Sequence, residues 1–176
     1  IFFDRNGNGH ADAGEGVDGV TVELYRSTQT PGAPSIPVYS TVTAGGGRFL
    51  FGNLQPDAYL LHIPKGMFAQ GEPLWAMKSV PGVLNSGDDE SGEDGQDAVD
   101  PTLTGVTTMA FNLAPGQAPA DTDEPGLDGS SDDARDGDVD LTRDLGFVDA
   151  TSLPATYTDW LAVHSLTGPG SGPTEN

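Results

Sequence analysis

The chain of 176 residues carries a formal net charge of −20 and is 35% hydrophobic. This length allows one domain with its own core, and the negative charge excludes binding to nucleic acid or anionic membranes through charge attraction. The 25 glycines and 14 prolines predict long loops, and the absence of cysteine excludes disulfides and thiol sites.

No apolar run in the sequence approaches the roughly 20 residues of a transmembrane helix, and no signal peptide precedes the first strand-like segment. We therefore expect a mature or excised piece of a longer secreted protein. An extracellular chain without disulfides needs another source of stability, and calcium is the obvious candidate for so acidic a sequence.

The first element along the chain is a twelve-residue loop over residues 4–15. Oxygen donors stand at its positions 1, 3, 5, 7, 9 and 12, where an EF-hand-type loop supplies ligands to calcium, and Gly9 at position 6 permits the sharp turn. The predicted ligands are Asp4, Asn6, Asn8, His10 (through its backbone carbonyl), Asp12 and Glu15. The alternative is a solvated turn rich in asparagine and glycine.

Strand-like segments, rather than helices, flank this loop. Residues 20–25 alternate apolar and polar side chains, and further strands are predicted at 38–42, 48–51 and 58–63. His62 alternates out of the apolar face of its strand, so we expect a surface residue rather than a metal ligand. Short strands joined by turns predict an all-β sandwich.

Residues 88–144 hold 17 of the 27 acidic residues. Two strand-like segments, 107–113 and 141–147, interrupt this region, so we expect the acids between them in long loops pinned at strand ends. Two acidic clusters are dense enough to bind further cations. They comprise Asp88, Asp89, Glu90, Asp136, Asp138 and Asp140. The alternative is a solvated, disordered insertion.

The end of the chain changes character. Residues 157–166 combine an N-cap pattern with an apolar stripe at helical spacing, and a run of glycine, proline and serine follows. The stripe consists of Tyr157, Trp160, Leu161 and His164. We predict two parts: a calcium-binding β-sandwich over residues 1–149, and a short amphipathic helix with a linker over 150–176.

Residues 3–15, continued by 19–25, resemble the opening of the SdrD B-like domain, the calcium-binding repeat of bacterial surface adhesins. Residues 47–56 with Tyr59 are similar to the Gly-x-Tyr-x-Phe and Leu-x-Pro-Gly-x-Tyr signature of that family, and softer similarities run on to residue 149. The resemblance implies an Ig-like or prealbumin-like antiparallel β-sandwich with long acidic loops and bound Ca²⁺.

The sequence departs from the family pattern at three places. The turn 43–47 carries no acid, Asp57 follows Pro56 where glycine is usual, and Arg143 stands where an apolar residue is usual. Related domains are sometimes crosslinked by an isopeptide bond between lysine and asparagine. We do not expect one here, because the two lysines, Lys65 and Lys78, both lie outside the first strand.

The resemblance implies a non-enzymatic extracellular module, a calcium-rigidified spacer or assembly unit of a bacterial cell-surface adhesin or fibre, and the chemistry of the loop independently predicts calcium. Its expected partners are neighbouring domains or subunits, with neither nucleic acid nor membrane insertion. An enzyme is disfavoured because the three histidines are scattered and no catalytic motif is present.

Two alternatives stay open. The first is a self-polymerising filament subunit that assembles by exchange of a strand or of the tail. The second is a carbohydrate-binding accessory module of a secreted enzyme, which would use exposed aromatic faces of Tyr39, Trp75 and Trp160.

Overall fold

The computed structural model describes residues 1–32, 34–80, 95–96, 98, 100–116 and 143–150. In these ranges the chain forms two sheets and little helix, which confirms the prediction of an all-β, Ig-like sandwich. The strands are β1 (Phe2–Phe3), β2 (Thr21–Arg26), β3 (Tyr39–Val42), β4 (Asp57–Ile63), β5 (Met77–Ser79), β6 (Val106–Thr107), β7 (Phe111–Leu113) and β8 (Gly146–Asp149). The helical segments are a 3-10 helix, Lys65–Phe68, and α1 (Pro101–Thr104).

The larger sheet has five strands, all paired antiparallel. Strands β3, β2 and β4 lie side by side, and β6 and β7 both pair with the far edge of β4. Leu24 of β2 lies opposite Tyr39 of β3 on one side and Leu61 of β4 on the other. Alternation in β2 and β4 therefore directs one set of apolar side chains to a single face.

The smaller sheet has the order β1, β8, β5. Strand β1 pairs parallel with β8, with Phe2 opposite Gly146 and Phe3 opposite Phe147. Strand β8 pairs antiparallel with β5. The two ends of the described chain thus meet in one sheet, and β1 delivers the chain directly into the loop at residue 4.

The hydrophobic core lies between the two sheets. The rings of Phe68 and Phe147 are 5.7 Å apart at their centroids, and both side chains are fully buried. Each buried side chain of this size contributes roughly 1.5–3 kcal/mol of transfer free energy. The core cluster comprises Ile1, Val20, Val22, Leu24, Tyr59, Leu61, Ile63, Phe68, Leu74, Val106, Leu145 and Phe147.

The prediction of a strand at 48–51 was wrong. Arg48 exchanges two backbone hydrogen bonds with Ala44, at 2.9 and 3.2 Å, and so closes a tight turn instead of joining a ladder. Phe49 and Phe51 still share a face, because their rings meet edge to face at 6.0 Å and both pack against the core. Side-chain packing rather than strand pairing explains this alternation.

The predicted strand at 107–113 is two strands. β6 and β7 pair with the same edge of β4, but the pairing is interrupted at Thr108. The backbone N–H of Thr108 donates to the carbonyl of Leu61, and the Thr108 hydroxyl, rather than its carbonyl, accepts the N–H of Leu61. Met109, expected on the apolar face, is exposed. The predicted strand at 141–147 begins at Gly146 instead, and Leu145 and Phe147 are buried as expected.

The expectation that His62 lies at the surface was also wrong, since its side chain is only 4% exposed. Its Nδ1 lies 2.9 Å from the hydroxyl of Thr107, and its ring meets Tyr25 edge to face. The second face of this sheet is covered near Gly105, where an added Cβ would lie 2.7 Å from the His62 ring. Burial lowers the pKa of His62, because the charged imidazolium loses its hydration.

None of the helices in the described ranges is long and apolar enough to cross a membrane. The predicted helix at 157–166, including Trp160, lies outside the described residues. The division at residue 149 stays a prediction for the same reason.

Candidate metal site

The loop over residues 4–15 is closed at its base by the small sheet. Phe3 donates its backbone N–H to the carbonyl of Glu15 at 2.8 Å, and Asp4 donates its own to the carbonyl of Phe147 at 2.8 Å. A bridge between Phe2 and Gly16 adds a second connection across the base. Both ends of the loop are therefore fixed to strands, in agreement with the prediction that the loop joins strands rather than helices.

The carboxylate of Asp4 organises the first half of the loop. Its side chain is 4% exposed, and its Oδ1 accepts the backbone N–H groups of Gly7 at 2.7 Å and Asn8 at 3.2 Å. Its Oδ2 accepts the N–H of Gly9 at 2.8 Å. Three main-chain donors thus wrap around one buried carboxylate, and hydrogen bonds to an ionised acceptor are the strong ones.

Glu15 organises the second half of the loop in the same way. Its side chain is 6% exposed. Its Oε1 accepts the backbone N–H of Arg5 at 2.9 Å, and its Oε2 accepts that of Asp12 at 3.1 Å. The last predicted ligand therefore reaches back to the start and to the middle of the loop.

Asn6, Asn8 and Asp12 form the exposed part of the site. The amide Nδ2 atoms of both asparagines donate to Oδ2 of Asp12, at 2.7 and 3.0 Å. Their Oδ1 atoms accept the backbone N–H groups two residues further on, those of Asn8 and His10, each at 2.9 Å. Asn6, Asn8 and Asp12 therefore share one exposed hydrogen-bonded cluster.

The sharp turn expected at loop position 6 is present, since Gly9 has φ of +80°. A side chain is rarely accommodated in that conformation, so glycine suits this position.

Calcium fits the chemistry of this donor set. Carboxylate and amide oxygens are the ligands that a hard cation prefers, and a loop with two buried carboxylates offers a divalent ion strong charge compensation. Within the described residues, however, no group of three or more acidic, histidine or cysteine side chains already converges on one point. Rotation of the terminal amides of Asn6 and Asn8 would turn oxygen instead of nitrogen toward Asp12.

A second carboxylate site beside the loop was not predicted from the sequence. Oδ1 of Asp18 accepts the backbone N–H groups of Gly46 at 2.9 Å and Gly47 at 2.7 Å. These two hydrogen bonds lower the pKa of Asp18, because they stabilise its ionised form. The only sequence signal for this contact is the glycine run 45–47, which by itself indicates no more than a turn.

The glycine turn also approaches the exit of the loop too closely for side chains. A Cβ added to Gly16 would overlap the carbonyl of Gly46, and one added to Gly47 would overlap the carbonyl of Ile1. The backbone nitrogen of Ile1 donates to the carbonyl of Gly47 at 2.6 Å in a buried position. We refer to Asp18 with the turn 45–47 as the glycine lock.

The remaining predicted site residues are those of the two acidic clusters and the aromatic residues considered for carbohydrate binding. All six residues of the acidic clusters at 88–90 and 136–140 lie outside the described ranges. Among the aromatic residues considered for carbohydrate binding, Tyr39 is 45% and Trp75 54% exposed. Tyr39 begins β3 of the larger sheet, whereas Trp75 lies in the turn before β5 of the smaller sheet.

Comparison with known proteins gives two findings. The family model of the SdrD B-like domain matches residues 1–74. A stretch of 64 residues, 35% of the chain, is 39% identical to Colossin-B of Dictyostelium discoideum. The match covers 2% of that protein's length. SdrD B-like domains are structural modules of surface adhesins, so the match indicates an extracellular structural module. The predicted family resemblance is thereby confirmed for residues 1–74, which match the SdrD B-like domain.

Proposed function

We propose that the chain is a calcium-stabilised, non-enzymatic module that serves as a spacer or assembly unit in an extracellular adhesin or fibre. The observation that carries this proposal is the closed loop over residues 4–15, which joins β1 to β2 and buries the carboxylates of Asp4 and Glu15. An ion held there would be bound by a loop whose two ends are fixed to β1 and β8.

The proposed ligands are the six residues predicted from the spacing: Asp4, Asn6, Asn8, the carbonyl of His10, Asp12 and Glu15. Bound calcium would supply positive charge to a chain with a net charge of −20. That charge compensation lowers the repulsion among acidic groups, which otherwise opposes the compact state. The ion would thereby take the stabilising role that disulfides have in other extracellular domains.

Calcium removal tests this proposal. An ion that binds only the folded loop stabilises it by about 2.7 kcal/mol when calcium is a hundredfold above Kd. For a chain of this size that corresponds to a fall of roughly 5–10 °C in Tm on chelation. The measurement is thermal unfolding with calcium and with excess chelator, after elemental analysis has shown that the metal was removed.

The variant Glu15→Gln is the matched control. It should retain the fold and lose most of the difference in Tm between calcium and chelator, because one proposed ligand loses its charge. If the Tm of the unaltered protein is the same with and without bound calcium, the calcium part of the proposal is wrong, while a spacer role would stand on the family match alone.

A second candidate is assembly into filaments by strand addition. In the described part of the chain β3 lies at the edge of the larger sheet and pairs only with β2, and Tyr39 and Val42 are 45% and 55% exposed. An exposed sheet edge is a template for an added strand. The occupant would be a strand of a second copy. Electron microscopy of the purified protein would show ordered fibres, and Val42→Lys should abolish them by placing a charge on that edge.

A further inference from the structure

Two asparagine–glycine steps lie in the candidate calcium loop, at Asn6–Gly7 and Asn8–Gly9. Such a step is chemically fragile, because glycine presents a backbone nitrogen without a neighbouring side chain to hinder its attack. Both asparagines are exposed to solvent. The loop therefore contains two sites at which the chain can modify itself without an enzyme.

The reaction is deamidation. The backbone nitrogen of the glycine attacks Cγ of the preceding asparagine and forms a C–N bond. The bond from Cγ to Nδ2 breaks, and ammonia leaves with the proton from the glycine nitrogen. Water then opens the resulting succinimide ring at either carbonyl and gives aspartate or isoaspartate. Atoms balance as asparagine plus water to the acid plus ammonia, with no change in oxidation state.

The attacking nitrogens of both steps are held by one side chain. The N–H of Gly7 donates to Oδ1 of Asp4 at 2.7 Å, and the N–H of Gly9 donates to Oδ2 of Asp4 at 2.8 Å. Attack requires each nitrogen to leave this carboxylate and lose its proton. A neighbouring negative charge opposes that loss, because it disfavours the amide anion.

The leaving groups are also held. Nδ2 of Asn6 and of Asn8 both donate to Oδ2 of Asp12, at 2.7 and 3.0 Å. Each side-chain amide is therefore fixed at its nitrogen by Asp12 and at its oxygen by a backbone N–H of the loop. Rotation of the asparagine side chain toward its own glycine nitrogen must break these contacts.

We propose that Asn6 and Asn8 are sites of spontaneous deamidation, and that the Asp4 carboxylate suppresses the reaction by holding the N–H groups of Gly7 and Gly9. Each event adds a negative charge to the loop, and an isoaspartate product adds a methylene to its main chain. The inference concerns the metal-free loop, in which these hydrogen bonds are present, so its test is run in excess chelator.

The variant Asp4→Asn tests the proposal. It keeps the size of the side chain, removes the negative charge and leaves one acceptor oxygen in place of two. The full chain is incubated at neutral pH well below its Tm and then digested with trypsin, and mass spectrometry of the peptide 6–26 measures conversion at each asparagine. We expect conversion at Asn6 and Asn8 to accelerate about tenfold, since a hydrogen bond to a charged acceptor no longer restrains the nitrogen.

The control variant is Asp18→Asn. Asp18 also accepts the N–H groups of two glycines, but no asparagine precedes either of them. We expect no acceleration at Asn6 or Asn8 in this variant. Equal rates in Asp4→Asn and the unaltered protein would overturn the proposal. Equal acceleration in Asp4→Asn and Asp18→Asn would overturn it as well, because general loosening of the fold would then explain the effect.

Discussion

The loop over residues 4–15 and the glycine lock contain the same type of hydrogen bond in two different surroundings. In each, a carboxylate accepts backbone N–H groups of glycines, Asp4 from Gly7 and Gly9, Asp18 from Gly46 and Gly47. Around Asp4 stand further oxygen-bearing side chains that a cation can use. Around Asp18 the backbone itself closes in, at Gly16 and Gly47.

This difference separates two roles of a carboxylate. Asp4 is buried among groups that can rearrange around an ion, whereas Asp18 is exposed and connects two backbone segments that have no space between them. The first site is suited to binding and the second to joining the loop to the sheet. Substitutions that affect one site and spare the other test this division.

The largest expected effect is at the close approach between the loop exit and the glycine turn. Gly16→Ala would place a methyl group on the Gly46 carbonyl, so we expect a loss of about 3 kcal/mol in the free energy of unfolding. Urea denaturation measures it. Gly52→Ala is the control, because the added Cβ meets no described atom within 4 Å and its effect should stay within about 0.5 kcal/mol. Similar losses in both variants would show that Gly16 and Gly46 do not approach each other this closely in solution.

The next effect concerns the binding site alone. We expect Glu15→Gln to weaken calcium binding about tenfold more than Asn8→Ala, because it removes the charge of a buried carboxylate that is proposed to bind the ion and close the loop. Titration calorimetry on both variants checks this order. Asp18→Asn should leave the affinity nearly unchanged. Equal losses for Glu15→Gln and Asn8→Ala would mean that the loop frame has been assigned wrongly.

The pH dependence of the free energy of unfolding also contains a contribution from His62. This contribution must be measured before the two carboxylates can be compared by changing the pH. Its pKa is lowered in the folded chain, so the unfolded chain takes up a proton first as the pH falls through the ordinary value of 6.5. His62 therefore does not reduce the free energy of unfolding above pH 6.5. Below that pH the free energy of unfolding decreases by at most about 1.4 kcal/mol per pH unit, until the pKa of the folded state is reached. Urea denaturation of the unaltered protein and of His62→Gln measures the difference. Parallel pH curves would contradict this assignment.

The smallest effect is at Asp18. Its pKa lies below the ordinary value of 3.8, because Gly47 and Gly46 donate to the ionised form. The unfolded carboxylate therefore protonates first, so the contribution is present above pH 3.8 and is lost as the pH falls through the folded pKa. Carbon NMR titration of the Asp18 carboxyl group should show this low pKa. An ordinary value would mean that the hydrogen bonds to the glycine turn do not persist in solution.

Local patterns predicted the parts of the molecule that depend on local geometry. Strands β2, β3 and β4 follow the alternation seen in the sequence to within one residue at each end. The residue spacing of the loop also agrees with the turn at Gly9. Contacts between distant segments were missed. His62 is buried because Tyr25 and the chain near Gly105 cover the second sheet face, and no pattern within 58–63 carries that information.

The same limit explains the glycine lock and the segment 48–51. Asp18 and Gly47 are joined by a hydrogen bond across 29 positions, so neither neighbourhood alone indicates the other. The alternation of Phe49 and Phe51 was assigned to a strand because packing against a core produces the same apolar pattern as strand pairing.

The parallel pairing of β1 with β8 determines how the module would carry mechanical load. Tension that pulls the chain before Phe2 away from the chain after Asp149 acts along both strands in opposite directions. The backbone hydrogen bonds from Phe2 to Leu145 and from Asp4 to Phe147 then lie across the direction of pull. They are strained together in shear, rather than being opened one after another. Traction on a spacer would therefore load the whole β1–β8 pairing at once, directly beside the loop that begins at Asp4.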